Sequence, residues 1–238
     1  MLALAKPKFW NHKITLFNQA VNEAGIVVPW IFSQKECSEF WLGVDNNSSS
    51  VGNRPRGYSG KDSTIVELLQ DFWTPYVPKS DAILELGCNC GANLRWLQQL
   101  GYCHLNGLEI NPSAIEQMKA SFPELYKKIN LFEGNMGDLL PPIASNSMDV
   151  VFTMGVAMHI HPAQNKLFAE MVRISRKYVC TIEPETANSN YVFARNYRRV
   201  FEKYGCAQLR ATRINADVCA DPAYWGCTVR FLKKNKLL

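Results

Sequence analysis

The chain has 238 residues, 47% of them hydrophobic, and a formal net charge of +5. This length suits one α/β domain with an N-terminal extension. No stretch approaches the roughly twenty apolar residues that a membrane-spanning helix needs, and the opening Met-Leu-Ala-Leu-Ala is too short for a signal peptide. We therefore expect neither a membrane-spanning segment nor export.

The cysteines and the basic residues argue against a disulfide-rich, a metal-binding and a nucleic-acid-binding protein. Eight cysteines are too thinly spread for a disulfide framework, so reduced thiols in a cytoplasmic protein are expected. Cys88 and Cys90 lie one residue closer than the usual zinc pair and lack a distant partner pair, so no metal site is predicted. The basic residues are scattered, whereas nucleic-acid-binding proteins usually show a dense stripe with interleaved aromatic residues.

The N-terminal quarter predicts an extension to the main domain. Residues 1–45 alternate aromatic and polar residues and predict short helical pieces, whereas residues 45–60 predict a loop rich in Asn, Ser and Gly. The loop is either a mobile surface linker or a lid that Trp41, Arg54 and Tyr58 close over a ligand. We divide the chain into this extension with its loop, 1–60, and a main domain, 61–238.

A strand, a glycine turn and a helix follow one another over residues 82–100. Ala82 to Leu86 is an apolar run that carries Glu85, and it breaks at Gly87. Residues 92–100 have leucines at helical spacing. Free backbone N–H groups at such a turn suit a nucleotide-like ligand, glycine lets the ligand approach the backbone, and Asn89 tolerates a left-handed conformation.

A second strand, 104–110, carries an acid, Glu109, about twenty residues after the turn. In a doubly wound fold this is the position of the carboxylate that accepts hydrogen bonds from ribose hydroxyls. Pro112 suits the first turn of the following helix, where no N–H is needed.

Predicted strands and helices continue to alternate along the chain up to about residue 204, and two strands without a helix between them follow. Helices are predicted at 112–121, 163–175 and 190–204, and strands at 129–133, 148–154 and 177–183. This order predicts a parallel sheet with helices on both faces. The β-rich runs 207–214 and 224–232 have no helix between them, so they must pair antiparallel.

The pattern of Glu85, Gly87 and Gly91 followed by Glu109 resembles class I S-adenosylmethionine-dependent methyltransferases over roughly residues 65–185. The resemblance implies a Rossmann-like α/β fold with a doubly wound, mostly parallel seven-stranded sheet that ends in an antiparallel hairpin. In an NAD-dependent oxidoreductase, strands and helices would continue to alternate to the end of the domain. The implied cofactor is S-adenosylmethionine, and the implied cofactor-binding residues are Glu85, Gly87, Cys88, Asn89, Gly91, Asn93, Glu109, Ile110, Asn135, Met136, Thr153, Met154 and Gly155.

A narrower resemblance concerns short strings such as Glu39-Phe40-Trp41-x-Gly43 and Gly155-Val156-x-x-His159-Ile160. They are similar to strings in small bacterial methylases found with pseudaminic acid biosynthesis. The C-terminal third departs from that pattern, so the resemblance leaves an amino sugar as one candidate acceptor among several.

Two histidines follow the fourth strand, near the position that the resemblance implies for the transferable methyl group. A histidine is a natural general base for a hydroxyl or protonated amine. His159 and His161 are therefore the candidate catalytic residues, with helix capping as the alternative role for His159.

Charged and polar residues follow the fifth strand. Two carboxylates there would suit a cationic amine, and an arginine would suit a carboxylate or phosphate; the alternative is an ordinary helix start with acids favoured by the helix dipole. The predicted acceptor-binding residues are Trp41, Arg54, Tyr58, Glu183, Glu185, Tyr191, Arg195 and Asn196.

The predicted function is methyl transfer from S-adenosylmethionine to an oxygen or nitrogen of a small polar metabolite. A natural-product, amino-acid-like or amino-sugar acceptor fits the acids and the arginine. We expect a cytoplasmic biosynthetic enzyme, either monomer or homodimer. One alternative is an RNA methyltransferase, motivated by the basic charge and the Arg195, Arg198 and Arg199 cluster, and another is a non-catalytic cofactor-binding protein.

Overall fold

A computed structural model describes residues 33–48, 51–60, 64–186 and 191–235. Most of the predicted N-terminal helical pieces lie outside these residues. The described helices are α1 (Gln34–Gly43), α2 (Pro55–Ser59), α3 (Thr64–Trp73), α4 (Ala92–Gln99), α5 (Pro112–Ser121), α6 (Pro123–Tyr126), α7 (Met136–Leu139), α8 (Lys166–Ile174) and α9 (Tyr197–Glu202). Short 3₁₀ turns lie at Val51–Asn53, Ala157–His159, Pro162–Gln164 and Pro222–Tyr224.

Seven strands of the described chain form one sheet in the order β3-β2-β1-β4-β5-β7-β6. They are β1 (Ala82–Leu86), β2 (His104–Glu109), β3 (Asn130–Glu133), β4 (Met148–Met154), β5 (Ser175–Pro184), β6 (Cys206–Arg213) and β7 (Cys227–Lys234). The first five pair parallel, and β7 runs antiparallel to both β5 and β6. The predicted mostly parallel sheet with an antiparallel hairpin at its end is confirmed.

Both faces of the sheet are covered by helices. Ile83 and Leu84 are adjacent in β1 and point to opposite faces, yet both are fully buried. Ile83 packs in the core with Trp73 of α3, and Leu84 packs in the core with Phe168 of α8. Burial on both faces explains why the parallel strands are nearly continuous apolar runs.

Local signals position the helices near the carboxyl edge of the sheet. Asn111 caps α5 by accepting hydrogen bonds from the N–H groups of Ser113 and Ala114, and Pro112 occupies the first turn as predicted. Ser33 and Glu36 form a reciprocal capping box at the start of α1. The cap at Asn111 also donates its side-chain amide to the carbonyl of Val44 at 2.7 Å, which ties the N-terminal extension to the main domain.

The predicted helix 190–204 is wrong in its first half, because residues 191–196 are irregular and the helix α9 begins only at Tyr197. Phe193, Tyr197 and Phe201 follow helical spacing, and all three are buried, so the apolar pattern continues across an irregular segment. The backbone of this segment bonds to a neighbouring turn: the N–H of Phe193 donates to the carbonyl of Met158 at 2.7 Å. Those groups are therefore unavailable for a helix.

Other boundaries also differ from the predictions. The predicted loop 45–60 contains the turn Val51–Asn53 and the helix α2, which begins with Pro55. The predicted helix 163–175 is split into a 3₁₀ turn and α8, and β5 already begins at Ser175. No helix of the described ranges is both long and apolar enough to cross a membrane.

We expect Gly91→Ala to destabilise the fold more than Gly101→Ala. Both glycines have left-handed backbones, with φ values of 78° and 93°, so each alanine costs about 1–2 kcal/mol in backbone strain. At Gly91 the added methyl would also lie 2.9 Å from Leu125 and Met118, whereas at Gly101 nothing lies within 4 Å. Overpacking adds about 1–3 kcal/mol. Urea unfolding of both variants measures the difference, and equal losses would contradict the packing argument.

Candidate functional site

A cavity of about 400 Å³ opens at the carboxyl edge of the sheet. The turns after β1, β2, β3 and β4 contribute to its walls, as do α1, α2 and the connection between β6 and β7. In doubly wound folds the carboxyl ends of the strands form the ligand crevice. The cavity therefore lies where the sequence predicts a site.

The glycine turn after β1 lines one wall. Gly87 has φ 71° and Asn89 has φ 49°, which confirms the predicted left-handed conformation at Asn89. A methyl group at Gly87 would lie 2.5 Å from Val156 Cγ2, so glycine is required there for packing as well as for backbone conformation. Gly87, Cys88 and Asn89 line the cavity, whereas Gly91 packs against α5 and α6 and does not.

Glu109 at the end of β2 ties the first two turns together. Its Oε2 accepts the N–H of Asn89 at 2.7 Å, and its Oε1 accepts the N–H groups of Ile110 and Asn111 at 2.9 and 2.8 Å. An ionised carboxylate accepts about four hydrogen bonds, so one acceptor direction remains for a ligand hydroxyl. Glu109 and Ile110 line the cavity, as predicted for a ribose-binding position.

Glu85 is a carboxyl group with an unsatisfied oxygen in the cavity wall. It is 1% exposed, its Oε1 accepts the side-chain amide of Asn93 at 2.7 Å, and its Oε2 has no hydrogen-bond partner among the described residues. Burial raises the pKa of Glu85 to about 8, and nearby Glu109 also raises it. A cationic ligand group beside Oε2 would relieve this cost.

The ends of β3 and β4 supply the opposite wall. Asn135 lines the cavity and caps α7 by accepting the N–H of Gly137 at 2.7 Å. Met136, Met154 and Gly155 also line it. Thr153, which the resemblance implies as a cofactor contact, is fully buried and does not line the cavity.

His159 lies in the cavity wall in a defined tautomer. Its Nδ1 is 2.7 Å from the carbonyl oxygen of Tyr191, and because a carbonyl only accepts, Nδ1 carries the proton. Nε2 then has a free lone pair, to which no described group donates. Burial lowers the pKa of His159 to about 4, so the imidazole is neutral at physiological pH and Nε2 is a hydrogen-bond acceptor.

His161 occupies a different environment from His159. It is 3% exposed, does not line the cavity and lies edge-on to Phe193 with ring centroids 5.2 Å apart. Its Nδ1 accepts the N–H of Ala163 at 3.2 Å. Of the two predicted catalytic histidines, the structure brings only His159 to the cavity, and it is His161 that acts as a cap.

Two charged residues predicted to bind the acceptor instead contact the turn that carries His159. Glu183 is fully buried, and its carboxylate accepts the N–H groups of Val156, Ala157 and Met158 at 3.0, 3.0 and 3.2 Å. Arg195 is 3% exposed and donates to the carbonyl of Ile160 at 2.7 Å. Neither side chain lines the cavity.

The other predicted acceptor-binding residues after β5 also lie outside the cavity wall. Glu185 pairs with Arg230 through two bonds of 2.6 Å, and Asn196 caps α9 by accepting the N–H of Arg199. Tyr191 stacks on Phe40 with ring centroids 4.2 Å apart.

The predicted lid residues separate into two groups. Trp41 and Tyr58 line the cavity, and Trp41 packs on the imidazole of His159 with ring centroids 4.3 Å apart. Arg54 is not in the wall; its Nε donates to the carbonyl of Ser48 at 2.8 Å.

The β6–β7 connection, which was not predicted as part of the site, places Tyr224 and Trp225 in the cavity wall. The predicted antiparallel hairpin could have indicated this position. Because β7 is antiparallel to β5, it begins beside the carboxyl end of β5, where Cys227 pairs with Pro184. Cys37, Ser38, Met158 and Gln164 were also missed, since no pattern in their segments marks a site.

The wall formed by the described residues contains two carboxyl groups, Glu85 and Glu109, and no lysine or arginine. No cluster of three His, Cys, Asp or Glu side chains in the described ranges could hold a metal ion. The arginine cluster that motivates an RNA substrate is divided, because Arg195 is buried and Arg198 pairs with Glu202 at 2.8 Å.

Residues 83–177 match a family model described as a methyltransferase domain. This segment contains the glycine turn, Glu85, Glu109 and His159. No curated protein sequence matches the chain.

Several solved structures with similar folds are methyltransferases. Magnesium protoporphyrin IX methyltransferase from Synechocystis PCC 6803, with bound SAH, aligns with a TM-score of 0.65 at 10% identity, over 85% of this chain and 100% of that one. Geranyl diphosphate methyltransferase, in complex with GPP and sinefungin, has a TM-score of 0.60 at 14% identity, over 84% and 97%. An S-adenosylmethionine-dependent methyltransferase from Mesorhizobium loti has a TM-score of 0.55 at 13% identity, over 75% and 100%. At these identities the likeness establishes the fold.

We expect Glu85→Gln to stabilise the ligand-free protein at high pH only. Burial raises the pKa of Glu85 from 4.5 to about 8, so between these values the unfolded chain is ionised while the folded chain keeps its proton. The wild type therefore loses stability as the pH rises through this window, and a glutamine does not. At pH 8 the variant should exceed the wild type by more than about 1 kcal/mol in free energy of unfolding, with no difference near pH 4.5. Urea unfolding at both pH values checks this; a gain independent of pH would contradict the assigned pKa.

Proposed function

We propose that this chain is an S-adenosylmethionine-dependent methyltransferase that methylates an oxygen or nitrogen of a small acceptor with His159 as general base. The observation that carries the proposal is the free Nε2 of a neutral imidazole in the cavity wall. A base must lie within hydrogen-bond reach of the proton that it accepts. Of the two histidines after β4, His159 is the one in the wall.

The cavity fits the chemistry of S-adenosylmethionine. When bound, the cofactor supplies a methyl group that its positively charged sulfur activates for attack. Glu85 would face the cationic methionine end, because its buried Oε2 is unpaired. Glu109 has one acceptor direction left for a ribose hydroxyl, and Asn135 and Met136 would contact the base of the nucleoside at the end of β3.

His159 would act mainly by alignment. Nε2 would accept a hydrogen bond from the nucleophile's O–H or N–H, which would direct a lone pair of that atom toward the methyl group. It would then take up the proton as the bond from the methyl carbon to sulfur breaks and the bond to the nucleophile forms. In-line attack over about 3 Å benefits strongly from such alignment. Trp41 packed on the ring keeps water away from it.

The described wall supports an acceptor without an anionic group in the cavity. It offers aromatic surfaces, including Trp41, Tyr58 and Trp225, and no basic side chain to hold a carboxylate or phosphate. Arginine would be the usual partner of either group, and Arg195 is bound to backbone carbonyls instead. An amino sugar remains one candidate acceptor from the sequence resemblance, and its amine is compatible with this wall.

We expect His159→Ala to reduce kcat by at least about 100-fold, the usual contribution of a general base. His161→Asn should retain kcat, since asparagine can still accept the N–H of Ala163 as a cap. For the wild type, kcat/KM should stay constant as the pH falls through 6.5 and decline only near pH 4, because burial lowers the pKa of His159 to about 4. Steady-state kinetics measure kcat of the variants and the pH dependence of kcat/KM, with the acceptor that the labelling experiment described next identifies. Equal losses in the two variants would contradict the assignment.

The acceptor class is tested with S-adenosylmethionine that carries a deuterated methyl group. The enzyme is incubated with separate small-metabolite, RNA and protein pools, followed by mass spectrometry. We expect the label in a small metabolite, absent when His159→Ala replaces the wild type. Label in RNA or protein would contradict a small acceptor, and cofactor binding without label in any pool would favour a non-catalytic protein.

A further inference from the structure

We propose that Glu183 and Arg195 are positioning residues that hold His159 in its catalytic orientation. The two side chains bind opposite ends of residues 156–160, the segment that carries His159, which we call the histidine turn. This inference rests on the proposed role of His159 as the base. It replaces the acceptor-binding role predicted from the charges of these two residues.

Glu183 binds the first half of the histidine turn. It stands near the end of β5, beside β4, whose carboxyl end leads directly into the turn. Its Oε1 accepts the N–H groups of Val156 and Ala157, and its Oε2 accepts that of Met158. These N–H groups open a 3₁₀ turn and have no partners within it. The side chain is fully buried, so no water competes for them.

Arg195 binds the second half of the turn. Its Nη2 donates to the carbonyl of Ile160 at 2.7 Å and to Asn165 Oδ1 at 3.0 Å. Its Nη1 donates to the carbonyl of Phe193 at 2.7 Å. The fixed fork of a guanidinium thus joins the segment that follows β5 to the histidine turn.

The backbone of the segment that follows β5 completes the arrangement. The N–H of Phe193 donates to the carbonyl of Met158, and the carbonyl of Tyr191 accepts Nδ1–H of His159. Arg195 holds this segment through the carbonyl of Phe193, two residues from Tyr191. The same side chain therefore orients both the turn that carries the imidazole and the carbonyl that selects its tautomer.

The buried charges fit a positioning role better than an acceptor-binding role. A buried ion that loses its partners is strongly destabilising, and both side chains bond to backbone groups of the turn. The carboxyl oxygens of Glu183, whose pKa burial raises, accept amide hydrogens, and the guanidinium of Arg195 donates to carbonyl oxygens. Since neither lines the cavity, we infer that they act on catalysis through the turn that carries His159.

The test compares Glu183→Gln with the wild type. Glutamine keeps the shape but replaces one acceptor with an NH₂ group, which opposes an N–H of the histidine turn. We expect kcat to fall by about tenfold to 100-fold, since small misplacements of a catalytic group cost about this much. The Kd for S-adenosylhomocysteine should stay within about twofold, because the cofactor contacts are unchanged. The ring-nitrogen NMR shifts of His159 should lose the Nδ1–H tautomer pattern.

Arg195→Lys is the second variant, because an ammonium group lacks the fork that reaches both Phe193 and Ile160. In this variant too, kcat should fall while the Kd for S-adenosylhomocysteine stays unchanged. If Glu183→Gln does not fold, Arg195→Lys provides the test in its place.

Asp149→Asn is the matched control. Asp149 is also buried, at 6% exposure, but it lies at the start of β4, where it accepts the N–H of Ala82 and pairs with Lys177. This variant should lower Tm without changing kcat or the His159 shifts.

The proposal is overturned if Glu183→Gln and Arg195→Lys retain wild-type kcat, lose cofactor binding together with kcat, or leave the tautomer of His159 unchanged. It is also overturned if Asp149→Asn reduces kcat as much. A wild type that binds cofactor but methylates nothing would contradict the proposed function alone, because the NMR shifts of His159 in the variants still report on its positioning.

Discussion

The geometry of the cavity depends on buried carboxylates that accept backbone N–H groups from the turn after a neighbouring strand. Glu109 on β2 binds Asn89 in the turn after β1, and Glu183 on β5 binds residues 156–158 in the turn after β4. Turns at the carboxyl edge leave N–H groups without partners in the sheet, and burying them unpaired would be costly. The two carboxylates satisfy those groups and fix the turns on either side of the cavity.

Glu85 on the central strand β1 differs from both, because no backbone N–H reaches its Oε2. Burial raises the pKa of all three carboxyl groups, but only in Glu109 and Glu183 do backbone N–H donors offset part of this desolvation cost. A carboxyl group with an oxygen that accepts no hydrogen bond gains most from a nearby positive charge. Glu109 and Glu183 thus hold the turns around the cavity, whereas Glu85 remains available to a cationic ligand.

The sequence predicts the sheet, the left-handed Asn89 and the position of Glu109, since each follows from local spacing and strand order. It does not predict the roles of Glu183 and Arg195, because a charge at the end of a strand gives no information on which backbone groups it meets in the fold. The segment 191–196 shows the same limit: its apolar spacing fits a helix, but its backbone bonds to the histidine turn. His159 and His161 are only two residues apart, and only their tertiary partners distinguish a cavity residue from a cap.

The two sides of the cavity come from different parts of the chain. The walls proposed to bind the cofactor, from Glu85 to Met136, lie within residues 83–177, which match the methyltransferase domain. The aromatic walls left for an acceptor come from Trp41 and Tyr58 before that range and from Tyr224 and Trp225 after it. Because those segments lie outside the matched domain, the match carries information on the cofactor and little on the acceptor. We therefore expect the identity of the acceptor to depend on α1, α2 and the β6–β7 connection, whose cavity-lining residues are uncharged and include four aromatic side chains.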